Sequence, residues 1–177
     1  KPIKNMGFGL IYGMGKDKLA AQMGVDVDTS ITIKRAYLTI FPGLKELNDD
    51  IKRRAALDQP IRTWGGRVYY CEPPRRVDGR MRTFDYKLLN VLIQGSSADC
   101  TKEAMIRHHR AKKRGRFLLQ IHDQLVFSVP QRWLKQEVKI AQQAMESVEF
   151  DVAMLVDISV GHSLGVLFSL GDYLEQV

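Results

Sequence analysis

Apolar positions recur at helical spacing through the first third of the chain and then change to short strand-like runs. Residues 16–23 predict a short helix, with Leu19, Ala20 and Met23 apolar and Gly24 as its stop. A second helix is expected over 31–40, capped by Asp28, Thr29 or Ser30 and broken by Phe41-Pro42-Gly43. Residues 44–57 bring Leu44, Leu47, Ile51 and Ala55 to one face of a third. Gly65-Gly66 between residues 61–64 and 67–70 reads as the turn of a hairpin, and residues 73–82 as a basic loop, either solvated or able to follow a nucleic-acid backbone with its four arginines. Residues 87–110 form the longest helical pattern, with a weak point at Gly95. Two apolar runs, 117–121 and 124–129, flank His122-Asp123 and predict a strand, a tight turn and a returning strand. Pro130 opens a helix to about Val148. Residues 152–160 alternate as a period-two strand ended by Gly161, and 164–173 are apolar enough to pack on the core.

The resulting class is α+β: a mostly helical lobe over 1–84, then an incomplete antiparallel sheet backed by helices over 85–177. The 177 residues, 45% of them hydrophobic, suffice for one core or for two small lobes sharing one. No apolar run is long enough for a membrane-spanning helix. Cys71 and Cys100 lie far apart, which suits a reducing, intracellular setting better than a disulfide scaffold. The net charge of +7 fits a polyanionic partner without requiring one. The chain opens at Lys1 and enters patterned sequence at once, so a fragment, a processed product or one piece of a split protein is expected.

Three stretches carry candidate chemistry. Lys4, Phe8 and Tyr12 are four residues apart, a cation and two rings on one helical stripe. Such a stripe suits a nucleotide, with charge for phosphate and rings for sugar and base; a core-facing aromatic stripe is the alternative. Gly7, Gly9 and Gly13 weaken that helix and suggest a close backbone approach or a bend. Asn90 and Gln94 share a face and could reach base edges or sugars in a minor groove, or be ordinary surface amides. His122-Asp123 holds one carboxylate in a fixed turn, as divalent metal binding requires, or simply caps a core hairpin.

Together these stretches resemble the C-terminal part of family A DNA polymerases, the bacterial DNA polymerase I group and its phage relatives. Lys4…Phe8-Gly9…Tyr12-Gly13 is similar to the fingers motif Lys-x-x-x-Phe-Gly-x-x-Tyr-Gly. Asn90…Gln94-Gly95…Ala98-Asp99 looks like the segment that touches the primer–template minor groove. Gln120 to Phe127 resembles the palm motif His-Asp-Glu. The resemblance covers nearly the whole chain and gives 1–84 as fingers and 85–177 as part of the palm.

The resemblance implies that Lys4 contacts the nucleotide phosphates, Phe8 packs on the sugar and Tyr12 stacks near the template base. It implies that Asn90 and Gln94 hold primer–template DNA, that His122 touches the primer end and that Asp123 binds Mg2+, two ions in the complete site. Deoxynucleoside triphosphates, primer–template DNA and the missing N-terminal polymerase portion are the implied partners. The implied location is cytoplasmic or nucleoid-associated, in the host cytoplasm for a phage protein. Three departures stand out. Gln124 replaces the usual Glu, Tyr86 replaces an arginine one turn before Asn90, and the motif's leading arginine would fall before Lys1. The family's other catalytic aspartate belongs to an earlier strand, so this chain alone is expected not to polymerise. The alternative is a non-catalytic nucleic-acid-binding or assembly subunit that retains the fold. An HD-type phosphohydrolase fits less well, because His122-Asp123 lies between strand-like runs rather than on helices. Single-subunit RNA polymerases match the Phe8-Gly9 and Gln94 blocks less well.

Overall fold

A computed structural model describes residues 2–175, with side chains from Met6 onward. The chain forms two units, Lys1–Ser97 and Ala98–Val177. Both are α+β, built from helices and small two-stranded antiparallel sheets.

The first unit opens with α1 (Pro2–Ile11), α2 (Lys16–Met23), α3 (Val27–Ile40) and α4 (Pro42–Ala56). Helix α3 starts four residues earlier than its apolar pattern predicts. Asp26, not a residue of 28–30, is the cap: its carboxylate accepts from the Thr29 N–H at 2.8 Å and the Thr29 hydroxyl at 2.6 Å. Ser30 is instead fully buried, its hydroxyl donating to the carbonyls of Val27 and Lys16 and so tying α3 to α2. Only Phe41 separates α3 from α4, because Pro42 tolerates the first helical turn but cannot continue α3. Ile51 of α4 packs with Ile61, Leu88 and Leu89, and Leu44 and Ala55 border them.

Strands β1 (Ile61–Arg62) and β2 (Val68–Tyr69) pair across a five-residue loop, longer than the two-glycine turn that the sequence suggests. The Gly66 N–H and the Thr63 carbonyl close that loop, and Gly66 at φ +83° supplies the left-handed residue. Residues 73–82 are not an open loop: β3 (Arg75–Val77) and β4 (Arg80–Arg82) pair around Asp78-Gly79.

Helix α5 (Tyr86–Ala111) passes through Gly95 without a break. That glycine serves packing: an added Cβ would lie 2.7 Å from Thr63 Cγ2, and the Arg67 guanidinium donates to the Gly95 carbonyl at 2.8 Å.

The second unit takes the rest of α5, then β5 (Arg116–Ile121) and β6 (Gln124–Ser128). A short 3-10 turn (Gln131–Trp133) leads into α6 (Leu134–Glu146), which ends slightly before the expected Val148. Cys100, Ala104 and Val148 form its buried cluster, with Leu125 and Met145 against it. Residues 152–158 carry an alternating pattern but form no strand, because among the described residues no strand pairs with them. Leu155 is 86% exposed there. Pairing begins at β7 (Ser159–Ser163), with β8 (Val166–Ser169) as its partner. Gly161 lies inside β7 rather than ending it; a Cβ there would sit 2.0 Å from the Val166 carbonyl oxygen. Of the tail expected to pack inward, Tyr173 is buried, whereas Leu164, Val166, Leu167 and Phe168 are exposed. They are exposed because β7 and β8 form a lone pair of strands, and β8 is open on both faces among the described residues.

Candidate functional site

The sequence of α1 explains how Tyr12 is held. The Gly13 N–H donates to the Leu10 carbonyl at 3.2 Å and the Met14 N–H to the Gly9 carbonyl at 2.7 Å. With Gly13 at φ +79°, this is a Schellman ending, a geometry that glycine adopts at little cost. Tyr12 is therefore the residue that closes the helix, and its ring stacks on Phe8 one turn earlier. The ring centroids are 6.3 Å apart and the planes 10° from parallel. Phe8 is 47% exposed, so the stripe is a surface feature and not a core one. Lys4 lies on the same helix, and its side chain is outside the described residues.

The glycines of α1 answer to neighbours within the unit. A Cβ on Gly7 would lie 3.3 Å from the Tyr37 hydroxyl, and one on Gly9 would strike the folded-back end of Met14. The backbone approach expected from the sequence is thus made by this chain's own side chains.

Asn90 and Gln94 are both exposed, one turn apart on α5. The Gln94 amide donates to the Tyr12 hydroxyl at 2.5 Å, across 82 residues of sequence. Two of the three sequence stretches therefore meet directly. Beneath them, Arg67 reaches Gly95 and also donates to the Tyr69 hydroxyl at 3.0 Å, while the Ser96 hydroxyl accepts from the Trp64 N–H at 3.0 Å. These supports fix the rotation of α5 that presents Gln94. The sequence marks Gly66-Arg67 as a hairpin resembling one in the family but gives no sign of what the Arg67 guanidinium holds.

In the second unit, Ile121 pairs with Gln124, so His122-Asp123 is a two-residue hairpin loop. His122 is at φ +54°, which a non-glycine side chain adopts only at a cost of about 1–2 kcal/mol. The Gln120 amide donates to the His122 carbonyl at 2.8 Å and braces the turn. His122, Asp123 and Gln124 are all exposed. The strands behind them are apolar on both faces, yet Leu118, Leu119 and Ile121 are exposed.

Among the described residues no group of three or more His, Cys, Asp or Glu side chains converges. Asp123 offers one hard carboxylate and Gln124 a neutral amide beside it. That fits one ligand of a Mg2+ ion, which takes one or two protein carboxylates together with substrate phosphates and water, and does not fit a complete protein cage.

Behind the hairpin lies a group that the sequence did not single out. Glu137 on α6 is 1% exposed. Its Oε1 accepts from the Lys113 N–H at 2.9 Å and the Arg114 N–H at 2.6 Å, pinning the connector between α5 and β5. The Gly115 N–H faces the same carboxylate without closing a third bond of ordinary geometry. Burial alone would push the Glu137 carboxyl up. The N–H groups of Arg114, Lys113 and Gly115, with the charge of His108, outweigh burial and hold it below the usual glutamate value. His108, 2% exposed, packs tilted against Phe127 with ring centroids 4.0 Å apart; burial depresses its pKa, and the nearby Glu137 only partly opposes this.

The sequence model of DNA polymerase family A matches residues 1–166. DNA polymerase I of Chloroflexus aurantiacus is 30% identical over 166 residues, 92% of this chain and 17% of that protein. DNA polymerase I of Mycobacterium leprae is 31% identical over 169 residues, 92% of this chain and 19% of that one. This chain thus spans about a fifth of the length of those relatives. Among solved structures, the POL domain of Pol1 from M. smegmatis, in complex with DNA primer-template and dNTP, superposes with a TM-score of 0.73 at 30% identity. The superposition covers 82% of this chain and 27% of that one. With the family model matched over residues 1–166 and the fold shared at 30% identity, the chain belongs to DNA polymerase family A.

Proposed function

We propose that this chain is the fingers and part of the palm of a template-directed DNA polymerase that adds deoxynucleotides to a primer 3′ end. The observation that carries the reading is the Gln94–Tyr12 hydrogen bond, which joins the amide face of α5 to the aromatic stripe of α1. It supports one surface on which a nucleotide and a duplex end are handled together. Residues 1–84 act as fingers and 85–177 as palm.

In this reading Lys4 places its charge against the triphosphate, where negative charge shifts toward the leaving group. Phe8 packs on the sugar, and Tyr12, fixed by Gly13 and Gln94, stacks at the template base. Asn90 and Gln94 offer donors and acceptors to the minor groove, which tolerate any base pair because that groove's pattern is degenerate. His122 contacts the primer end and Asp123 supplies a carboxylate to Mg2+. When bound, the metal lowers the pKa of the attacking hydroxyl and offsets charge on the phosphates. Asp123 is one carboxylate, so a preceding polymerase segment, covalent or separate, supplies the remainder. This chain alone does not polymerise.

A second reading, a non-catalytic nucleic-acid-binding subunit, draws on Gln124, which lacks the charge that glutamate would bring beside Asp123. Asp123→Ala in the complete protein separates the two. Primer extension falls by at least a hundredfold with duplex binding retained if this is the enzyme. Unchanged synthesis would assign this chain to binding alone. Robust incorporation by the isolated 177 residues would show that no other segment is needed.

A further inference from the structure

The ribbon of β3 and β4 holds charge that folding does not require. Residues 75–82 contain four arginines and one aspartate, a net charge of +3. Asp78 at φ +51° and Gly79 at φ +76° form a two-residue turn of the type that favours Asp-Gly. The register places Arg75 opposite Arg82 and Val77 opposite Arg80, so three guanidinium groups share one face; Arg76 and Met81 share the other. Like charges directly opposite cost a sheet about 0.2–1 kcal/mol, in a two-stranded ribbon that is marginal by itself. The compensation is thin. Glu72 reaches Arg75 only at 3.6 Å and Asp78 reaches Arg82 only at 3.7 Å, both exposed. Arg76 and Arg80 have no carboxylate partner among the described residues.

The base of the ribbon is nonetheless anchored. The Arg75 guanidinium lies 4.8 Å and the Lys87 ammonium 4.6 Å from the centroid of the buried Phe84 ring. Glu72 ties Lys87 in at 2.7 Å. The arginines beyond Arg75 thus project from a fixed foot.

We propose that this ribbon grips the sugar–phosphate backbone of duplex nucleic acid, without reading its sequence. The inference rests on the polymerase reading and adds a contact outside the residues already named. Guanidinium forks match phosphate oxygens, and a two-stranded ribbon has the width that a major groove admits. Residues 75–82 contain no aromatic ring, which a single-strand stacking platform would need.

The test is the triple variant Arg76→Gln/Arg80→Gln/Arg82→Gln in the complete protein, with Lys45→Gln/Lys52→Gln as the charge-removal control. Binding to duplex and to single-stranded oligonucleotides is measured against salt concentration, with thermal melting to verify folding. The slope of log K against log salt for duplex falls by about 0.9 for each arginine that touches phosphate. The control variant keeps the parental slope, and single-strand binding changes less. A duplex slope unchanged in the triple variant, while the parent binds duplex, overturns the ribbon contact and leaves the polymerase reading standing. So does a loss confined to single strands, or to an acidic polypeptide used as competitor. Failure of the parent protein to bind any duplex overturns both.

Discussion

Glu137→Ala removes the acceptor of two backbone N–H groups at the connector that leads into the Asp123 hairpin. A polar group left without its partner costs about 1–3 kcal/mol. Both bonds are part-buried and water reaches their surroundings, so the low end applies, about 1–1.5 kcal/mol each and about 2–3 kcal/mol together. Glu137→Gln keeps an acceptor but loses the charge, and charge-assisted bonds are about twice as strong as neutral ones. It should therefore cost about half as much. Urea unfolding gives the totals, and amide exchange at 113–115 gives the location, accelerating in both variants. The pH dependence follows from the same pair. Glu137 is held below its unfolded value of 4.5, so its contribution is present above that pH and is lost as pH falls through the folded value. His108 is held below 6.5, so below that pH the unfolded chain takes up a proton that the folded chain refuses, and stability drops. Both effects weaken the fold on acidification, His108 first. His108→Phe should flatten the profile between pH 7 and the depressed His108 value while leaving the more acidic limb. Equal cost for Glu137→Ala and Glu137→Gln, or a shift under about 0.5 kcal/mol for the alanine, would refute the pinning argument.

Two further outcomes follow from the site. Tyr12→Phe and Gln94→Ala should show a coupling of about 0.5–1.5 kcal/mol in a double-mutant cycle on unfolding, the worth of one hydrogen bond; additive effects would dissolve the link between α1 and α5. His122→Gly should relieve the positive φ and stabilise the hairpin by about 1 kcal/mol while primer extension by the complete protein falls; improved extension would show that the imidazole is dispensable.

The helices were legible because their apolar spacing, Gly24 and Phe41-Pro42 are local signals that tertiary structure did not override. The start of α3 is not legible locally because three cap-competent residues follow Asp26, and the choice among them depends on whether Ser30 is needed inside, where it binds α2. Residues 152–158 failed for a related reason: alternation marks a segment able to be a strand, and pairing depends on an edge that lies elsewhere. Glu137 left no signal, since a lone glutamate on an amphipathic helix reads as solvent-facing. Of the site, the type and spacing of Phe8, Tyr12, Asn90 and Gln94 were readable, whereas the bond between Tyr12 and Gln94 was not.

The β3–β4 and β5–β6 hairpins both turn through positive-φ residues, and they meet that backbone demand in opposite ways. Between β3 and β4 the turn is Asp78-Gly79, residues that accept positive φ at little cost, and the strands carry the unusual charge. Between β5 and β6 the strands are ordinary and apolar, and the turn carries the unusual residue, with His122 at φ +54° where glycine or asparagine would be easier. A turn that needed only to reverse the chain would gain stability from glycine at that position. Retaining an imidazole there, braced by Gln120 and followed at once by an exposed carboxylate, makes sense if side chains are wanted at the tip itself. The strain therefore singles out the His122-Asp123 tip of one hairpin, whereas in the other the opposed arginines of the strands are the unusual feature. Polarity alone would not have distinguished these two turns.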